Sequence, residues 1–142
     1  MLKKILLWSV GLLVLLQFIS VDKTNPKSDP KDEVKAPNEV MSILKKSCYD
    51  CHSNQTQWPW YSEIAPISFV VSSHVKKARK AINFSSYNTM DLALKQQRLK
   101  RAIMTVENER MALPSYVSAH KEAKLSKAQK VLLTQWFKSQ IE

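Results

Sequence analysis

The chain has 142 residues, of which 44% are hydrophobic, and its formal net charge is +10. This length supports one small domain with appendages. Glycine occurs once, at Gly11, which argues against a hairpin-rich β fold because tight turns favour residues that adopt positive φ.

Residues 1–21 have the pattern of a signal anchor or transmembrane segment. Lys3 and Lys4 precede the uncharged run ILLWSVGLLVLLQFISV, from Ile5 to Val21. A basic segment before an apolar one is typical of export signals, and the run is near the lower limit for a membrane span, about 17 residues. Because FISVD is a poor cleavage site, we expect an uncleaved anchor, although the sequence leaves cleavage open. The rest of the chain is then expected on the exported, periplasmic side of the inner (cytoplasmic) membrane.

The basic composition bears on the choice of partner. Net positive charge favours anionic lipids, acidic proteins or nucleic acid, and it is equally compatible with an ordinary solvated surface. Export argues against nucleic acid, so we expect no nucleic-acid partner. The expected contacts are the membrane, through the N-terminal helix, and acidic redox partner proteins.

Residues 22–37 alternate charged residues with three prolines and show no apolar periodicity. This composition predicts a flexible linker that would let the following domain move. Residues 38–142 form the predicted folded domain. Nothing in this region repeats or alternates as a strand would, so the predicted class is all-α.

About four helices are predicted in the folded domain from apolar residues at helical spacing. The first runs from Asn38 into the stretch CYDCH. The second begins near Pro66, which suits a first helical turn, and the third covers 90–109 with Leu92 among its inward residues. Pro114 is expected to act as a breaker, and a capping-box pattern starting at Ser126 opens the last helix. The apolar face predicted for the second helix comprises Ile67, Val70, Val71, His74, Val75 and Ala78.

Cys48 and Cys51, the only cysteines, stand directly before His52 in the motif CYDCH. A disulfide suits an oxidising compartment but leaves the histidine without a role. A thioredoxin-like redox pair follows a strand, and the chain has no βαβ pattern. Zinc needs four ligands, and His74 and His120 lack finger-like spacing. Covalent haem attachment, for which Cys-x-x-Cys-His is the recognised motif, uses all three residues and is the interpretation we favour.

The chemistry of haem c explains the spacing of this motif. Cys48 and Cys51 would form thioethers with the two vinyl groups of the porphyrin, and His52 would bind the iron as proximal ligand. A methionine as second ligand raises the reduction potential, and Met111 is favoured because it lies in the loop ERMALPSY. His74 is the alternative, either as an iron ligand or as a hydrogen-bond partner of a haem propionate.

Further residues are candidates for the walls of the haem pocket. Trp58, Trp60 and Tyr61 are expected to pack over the porphyrin. Arg79, Lys76 and Lys77 are candidates for pairing with a propionate. Ordinary core packing or a solvated charged surface would place these residues in the same way, so they discriminate little.

These segments resemble the bacterial haem-binding domain family, a c-type-cytochrome-like group. The resemblance is carried by CYDCHSNQTQWPWYSEIAPIS, HVKKARKAINFS and MALPSYVSAHKEAKLS, with a closing tryptophan at Trp136. It covers nearly the whole folded domain, from Asn38 to about Phe137.

The resemblance implies covalent haem on the two cysteines, with His52 as proximal and Met111 as distal ligand. The chain departs from the family pattern at two positions. Ala112 follows the methionine where the family tends to have proline, although Pro114 is retained, and Ala78 precedes the arginine of the second helix where the family tends to have glycine.

The function that we expect from the sequence is that of a membrane-tethered electron carrier rather than an enzyme. Its iron would carry single electrons between protein partners. The alternatives are a haem peroxidase or a gas or redox sensor with a displaceable sixth ligand, in which His74 serves as the distal polar group, and an accessory haem module of a larger complex.

Overall fold

The computed structural model describes residues 1–141, and every regular element within them is helical. The α-helices are α1 (Leu2–Leu16), α2 (Asn38–Ser47), α3 (Tyr49–His52), α4 (Ile67–Ala81), α5 (Leu92–Glu107), α6 (Pro114–Ala119) and α7 (Lys127–Ser139). Short 3-10 segments lie at Pro30–Asp32, Trp60–Glu63, Phe84–Thr89 and Lys121–Ala123. The prediction of an all-α chain is confirmed.

The hydrophobic core lies between α2, α5 and α7, because each of these helices presents one apolar face at helical spacing. Its most deeply buried side chains are Leu44, Leu99, Leu133 and Phe137. These helices correspond to the first, third and fourth of the predicted helices.

The starts of α5 and α7 are fixed by side-chain caps. The carboxylate of Asp91 accepts a hydrogen bond from the backbone nitrogen of Leu94 at 2.8 Å. Ser126 and Gln129 exchange two hydrogen bonds across the first turn of α7, so the predicted capping box is present. Each cap satisfies backbone N–H groups that have no partner within the helix.

Two helix boundaries differ from the prediction. The first predicted helix is divided, because Cys48 has φ −126° and ψ −36° and separates α2 from α3. Pro114, expected to break helical structure, opens α6 instead, since proline at the first helical position lacks only a hydrogen bond that would be unmade anyway.

Two helices bury less of their predicted inner face than expected. On α4, Val75 is buried, whereas Ile67 and Val70 are 45% and 53% exposed and His74 is also exposed. On α5, Leu92 is 68% exposed because it stands in the first turn, ahead of the core. The apolar face of α4 borders open space, and that space contains the site described below.

The N-terminal helix α1 ends at Leu16, short of the predicted Val21, and buries none of its side chains. Among residues 1–141, no helix has both the length and the apolar character that crossing a membrane requires. Gln17 follows α1 and forms two hydrogen bonds of 3.0 Å with the backbone N–H and C=O of Ala65.

The segment 22–37, predicted as a flexible linker, lies against the folded domain, and we call it the strap. Val34 is 2% exposed and belongs to the hydrophobic core. Its backbone nitrogen donates to the carbonyl of Phe84 at 2.9 Å, and Asn88 donates to the carbonyl of Glu33 at 2.9 Å. The departure from the prediction arises because one buried side chain anchors the strap, and a single side chain creates no periodicity.

Candidate functional site

The two cysteines and His52 border a large cavity of about 590 Å³. Cys48 lies between α2 and α3, whereas Cys51 and His52 lie on α3. The thiols are not joined to each other, so the disulfide alternative is not realised in the structure. The other walls come from α4 and the residues that follow it, from α5, from α7 and from the loop before α6. Their apolar residues include Ile82, Phe84, Ala102, Val106, Leu133 and Phe137.

The His52 ring is held by one backbone hydrogen bond. Its Nδ1 lies 3.0 Å from the carbonyl oxygen of Ile82, just after α4. Because a carbonyl only accepts hydrogen bonds, Nδ1 carries the proton and Nε2 keeps its lone pair. Burial lowers the pKa of His52, which favours the neutral imidazole, the form that binds metals.

The thiols are held in their protonated form. Burial raises the pKa of Cys48 to about 12 and that of Cys51 to about 11, with a further contribution to the latter from Asp50. Redox exchange and zinc binding both need the thiolate. No group of three or more His, Cys, Asp or Glu side chains within residues 1–141 is arranged to hold a metal ion, so the zinc alternative gains no support.

Met111 borders the same cavity as the thiols and His52. Its side chain is partly buried and packs against the hydrophobic core. Its backbone nitrogen donates to the carbonyl of Thr105 at 3.3 Å, which ties the loop to the end of α5. Among the methionines that the structure describes, Met111 alone borders this cavity, and Met104 is 61% exposed elsewhere on α5.

A second, smaller cavity of about 400 Å³ adjoins the larger one. Cys51, His74, Leu113 and Tyr116 border both cavities, so the two spaces meet at these residues. His74 is therefore at the site, as predicted for either of its proposed roles, and it reaches the site from the exposed face of α4.

The predicted aromatic wall is only partly present. Tyr61 borders the smaller cavity, and its hydroxyl lies 3.0 Å from Nε2 of His120. Trp60 is 75% exposed and borders neither cavity. Trp58 also borders neither, and its Nε1 is buried without a hydrogen-bond partner among the described residues.

Arg79 lies behind the site and borders neither cavity. Its Nε donates to the carbonyl of Ser53 at 2.8 Å and its Nη1 to the carbonyl of Thr24 at 2.9 Å. Its Nη2 donates to the side-chain oxygens of Asn25 and Thr56, at 2.8 Å and 2.9 Å. These four bonds tie the loop after His52 to the strap, and they occupy the guanidinium that the sequence suggested for a propionate.

Sequence reasoning missed Tyr116, which stands at the junction of the two cavities. Its hydroxyl donates a short hydrogen bond to the Asp50 carboxylate. Its ring stacks on His120, with 4.4 Å between ring centroids. Burial and the bond to Asp50 raise the pKa of Tyr116 above its usual range. Only its proximity to Met111 in the loop ERMALPSY pointed to it.

Four basic side chains border the larger cavity: Lys77, Lys80, Arg98 and Arg101. The sequence suggested only Lys77 among them for a propionate, and sequence reasoning missed the other three. The sequence does not distinguish basic residues at a cavity from basic residues in solvent, since both kinds lie outside the apolar face of a helix.

The residues that line the larger cavity fit the predicted cofactor, haem. Apolar walls suit a porphyrin, two protonated thiols suit its vinyl groups, and a neutral imidazole and a thioether are iron ligands. The model of a family described as a haem-binding domain matches residues 11–139. No curated protein and no solved structure matches the chain.

Proposed function

The chain belongs to the haem-binding domain family, and on that premise we propose that Cys48 and Cys51 attach haem c covalently. The support is their place in a Cys-x-x-Cys-His motif and their position at one apolar cavity with His52 and Met111. This shared cavity is the single observation that carries the proposal. The strap lies within the matched residues, so we infer that it is part of the haem-binding unit.

We propose that His52 and Met111 would hold the iron of a bound haem. The bond from Nδ1 of His52 to Ile82 orients the ring and keeps Nε2 available, as partners of metal-bound histidines commonly do. Met111 offers a thioether from a loop tied to α5. When bound, the haem supplies an iron that accepts and releases one electron at a time.

The function that these ligands support best is single-electron transfer between proteins. If His52 and Met111 both bound the iron, no position there would be left for a substrate, and this would distinguish a carrier from an enzyme. The formal net charge of +10 favours acidic redox partners, because complementary charge accelerates transient association.

We further propose that the protein acts on the exported side of the cytoplasmic membrane. The support is the pair Lys3 and Lys4 ahead of the uncharged run Ile5–Val21, a pattern typical of export signals. The apolar side chains of α1 are exposed, apart from Leu16, which is partly buried, and insertion into lipid would remove them from water.

Expression of the full chain with a haem c attachment system tests the proposed site. We expect haem to stay with the polypeptide after denaturation and acid–acetone extraction, with the absorption spectrum of thioether-linked haem. Cys48→Ala combined with Cys51→Ala should lose this haem. Haem that is fully extractable from the wild-type chain would overturn the covalent assignment.

A second candidate function is a peroxidase or sensor with an open or displaceable sixth position. It is favoured by the position of His74 at the junction of both cavities, where its imidazole offers a distal polar group. A high-spin oxidised spectrum and ready binding of cyanide by the wild-type protein would select this candidate. A low-spin spectrum with a methionine-to-iron band near the red end of the visible range would select the electron carrier. Co-purification of the loaded chain in a stable complex would instead indicate an accessory haem module.

A further inference from the structure

We propose that Arg98 and Arg101, with Lys77 and Lys80, hold the two propionates of the haem at the rim of the larger cavity. We call these four residues the propionate clamp. The proposal rests on the proposed haem site and assigns the residues that position the anionic edge of the cofactor.

The clamp residues come from two helices that both line the cavity. Arg98 and Arg101 are one turn apart on α5, on the face that continues with Ala102 and Thr105 along the same wall. Lys77 and Lys80 lie on α4. Arg98 is partly buried and the other three are exposed, so the charges lie where the cavity meets solvent.

The charge of the clamp is not balanced by the protein. No aspartate or glutamate borders the larger cavity in the described residues. None of the four clamp residues forms an ion pair within residues 1–141, whereas lysines elsewhere do. Positive charges at one cavity repel one another. An anionic group on the bound molecule would offset this repulsion.

The structure of haem would place its carboxylates on the far side of the ring from the thiols. The propionates lie on the porphyrin edge opposite the vinyl groups, so a ring fixed at Cys48 and Cys51 directs them away from α3. Carboxylates lose free energy in an apolar cavity unless they are paired or reach water. Arginine pairs with carboxylates through two parallel hydrogen bonds, which suits Arg98 and Arg101 to fix the plane of the ring.

Two of the three basic residues suggested by the sequence for this role are already engaged. Arg79 makes four hydrogen bonds to the strap and to the loop after His52. Lys76 forms an ion pair of 3.7 Å with Asp22 and does not border the larger cavity. The clamp therefore keeps Lys77 and replaces Arg79 and Lys76 as partners of the propionates.

A comparison of haemin with its dimethyl ester tests the clamp directly. In the full chain with Cys48→Ala and Cys51→Ala, binding is reversible, and the ester lacks the two propionate charges. We expect Arg98→Gln with Arg101→Gln to weaken haemin binding by about tenfold to one-hundredfold, the effect of losing hydrogen bonds to a charged group. The affinity for the ester should stay within about twofold of that of the parent protein, which keeps Arg98 and Arg101. The ester has no propionate charge, so the two substitutions remove no ion pair with it.

The matched control is Lys45→Gln with Lys100→Gln, which removes two charges from exposed positions that do not border the cavity. This control should bind haemin like the parent. Equal losses for haemin and ester in the arginine variant, or equal haemin affinity in the arginine and control variants, would overturn the clamp. The latter result would assign the four cations to an acidic protein partner instead.

The reduction potential of the covalently loaded chain gives a second readout. Removing two positive charges near the iron should lower the potential more in the arginine variant than in the control, because cations favour the less positive, reduced state. Equal potentials in the two variants would contradict the clamp. A wild-type chain without covalent haem would refute the proposed attachment, and the comparison of haemin with its ester would still decide the clamp.

Discussion

Nδ1 of His52 lies 3.0 Å from the carbonyl oxygen of Ile82, thirty residues later in the chain. This bond makes the ring orientation of the proposed iron ligand depend on where α4 ends. The same helix carries His74 and two residues of the propionate clamp. The ring of the proposed proximal ligand and the two clamp residues on α4 therefore depend on the position of one helix, as a preformed cofactor site requires.

Replacement of Met111 tests the distal ligand. Met111→Leu keeps the volume of a partly buried side chain and removes the sulfur, so we expect the fold to persist. The methionine-to-iron band of the oxidised protein should disappear, and the reduction potential should fall, because thioether ligation raises it. Spectroscopy and a redox titration measure both effects. Met104→Leu, at an exposed site on α5, is the control, and an unchanged band in Met111→Leu would exclude Met111 as ligand.

The reactivity of the thiols tests the burial of the attachment site. With pKa values of about 12 for Cys48 and about 11 for Cys51, against 9.0 for an ordinary thiol, the folded haem-free chain contains little thiolate. Alkylation of Cys51 at about pH 8 should be about one-hundredfold slower than in urea, and that of Cys48 slower still. Mass spectrometry after iodoacetamide treatment measures the rates. Equal rates in the folded and unfolded chains would contradict the burial.

The same pKa values give a direction for stability against pH. Above pH 9.0, the thiols of the unfolded chain ionise while those of the folded chain stay protonated. The unfolded state then binds fewer protons, so the free energy of unfolding of the haem-free chain should fall as pH rises from about 9 to 11. Urea titrations across this range measure the slope. The variant Cys48→Ala with Cys51→Ala should lack this part of the slope.

Arg79→Ala tests whether this residue supports the fold or contacts the cofactor. Loss of four hydrogen bonds to the strap and to the loop after His52 should lower the free energy of unfolding by about 2–4 kcal/mol. Denaturant titration measures this change. Lys76→Ala breaks one exposed pair and should cost less than about 1 kcal/mol. If Arg79→Ala weakened the binding of haemin but not that of its dimethyl ester, Arg79 would be assigned as a partner of a propionate.

Val34→Ala tests whether the strap belongs to the domain. Val34 is 2% exposed, so its truncation should lower the free energy of unfolding by about 1–2 kcal/mol. Trypsin should then cleave faster after Lys27 and Lys31, and timed digestion measures this. Val131→Ala, at a position 54% exposed, should change neither quantity by much. Rapid cleavage of the strap in the wild-type chain would instead support the linker predicted from sequence.

The sequence predicts the buried faces of α5 and α7 better than that of α4. Leu99 and Leu133 are buried as their spacing indicates. Ile67, Val70 and His74 show the same spacing, yet they face a cavity. Periodicity identifies an apolar face but not what covers it, since a bound cofactor and a protein core impose the same pattern.

The polar part of the site is less accessible to sequence reasoning. The CYDCH motif predicts that His52 and both thiols lie together, because the proposed covalent attachment would fix their order along the chain, and all three border one cavity. Arg98 and Arg79 carry the same charge on neighbouring helices, and only the folded chain shows that one borders the cavity and the other is bound to the strap.

The paired hydrogen bonds between Gln17 and Ala65 affect how the protein would find its partners. Sixteen freely flexible residues would let the domain search a radius of about 20–25 Å around its anchor. Because the strap is packed against the domain and Gln17 is hydrogen-bonded to Ala65, just before α4, the domain would have almost no freedom to move relative to α1. If α1 inserted into a bilayer, the protein would meet its partners through lateral diffusion of the whole molecule in the membrane plane. Because the domain could not turn relative to α1, the same side of it would always face the aqueous phase.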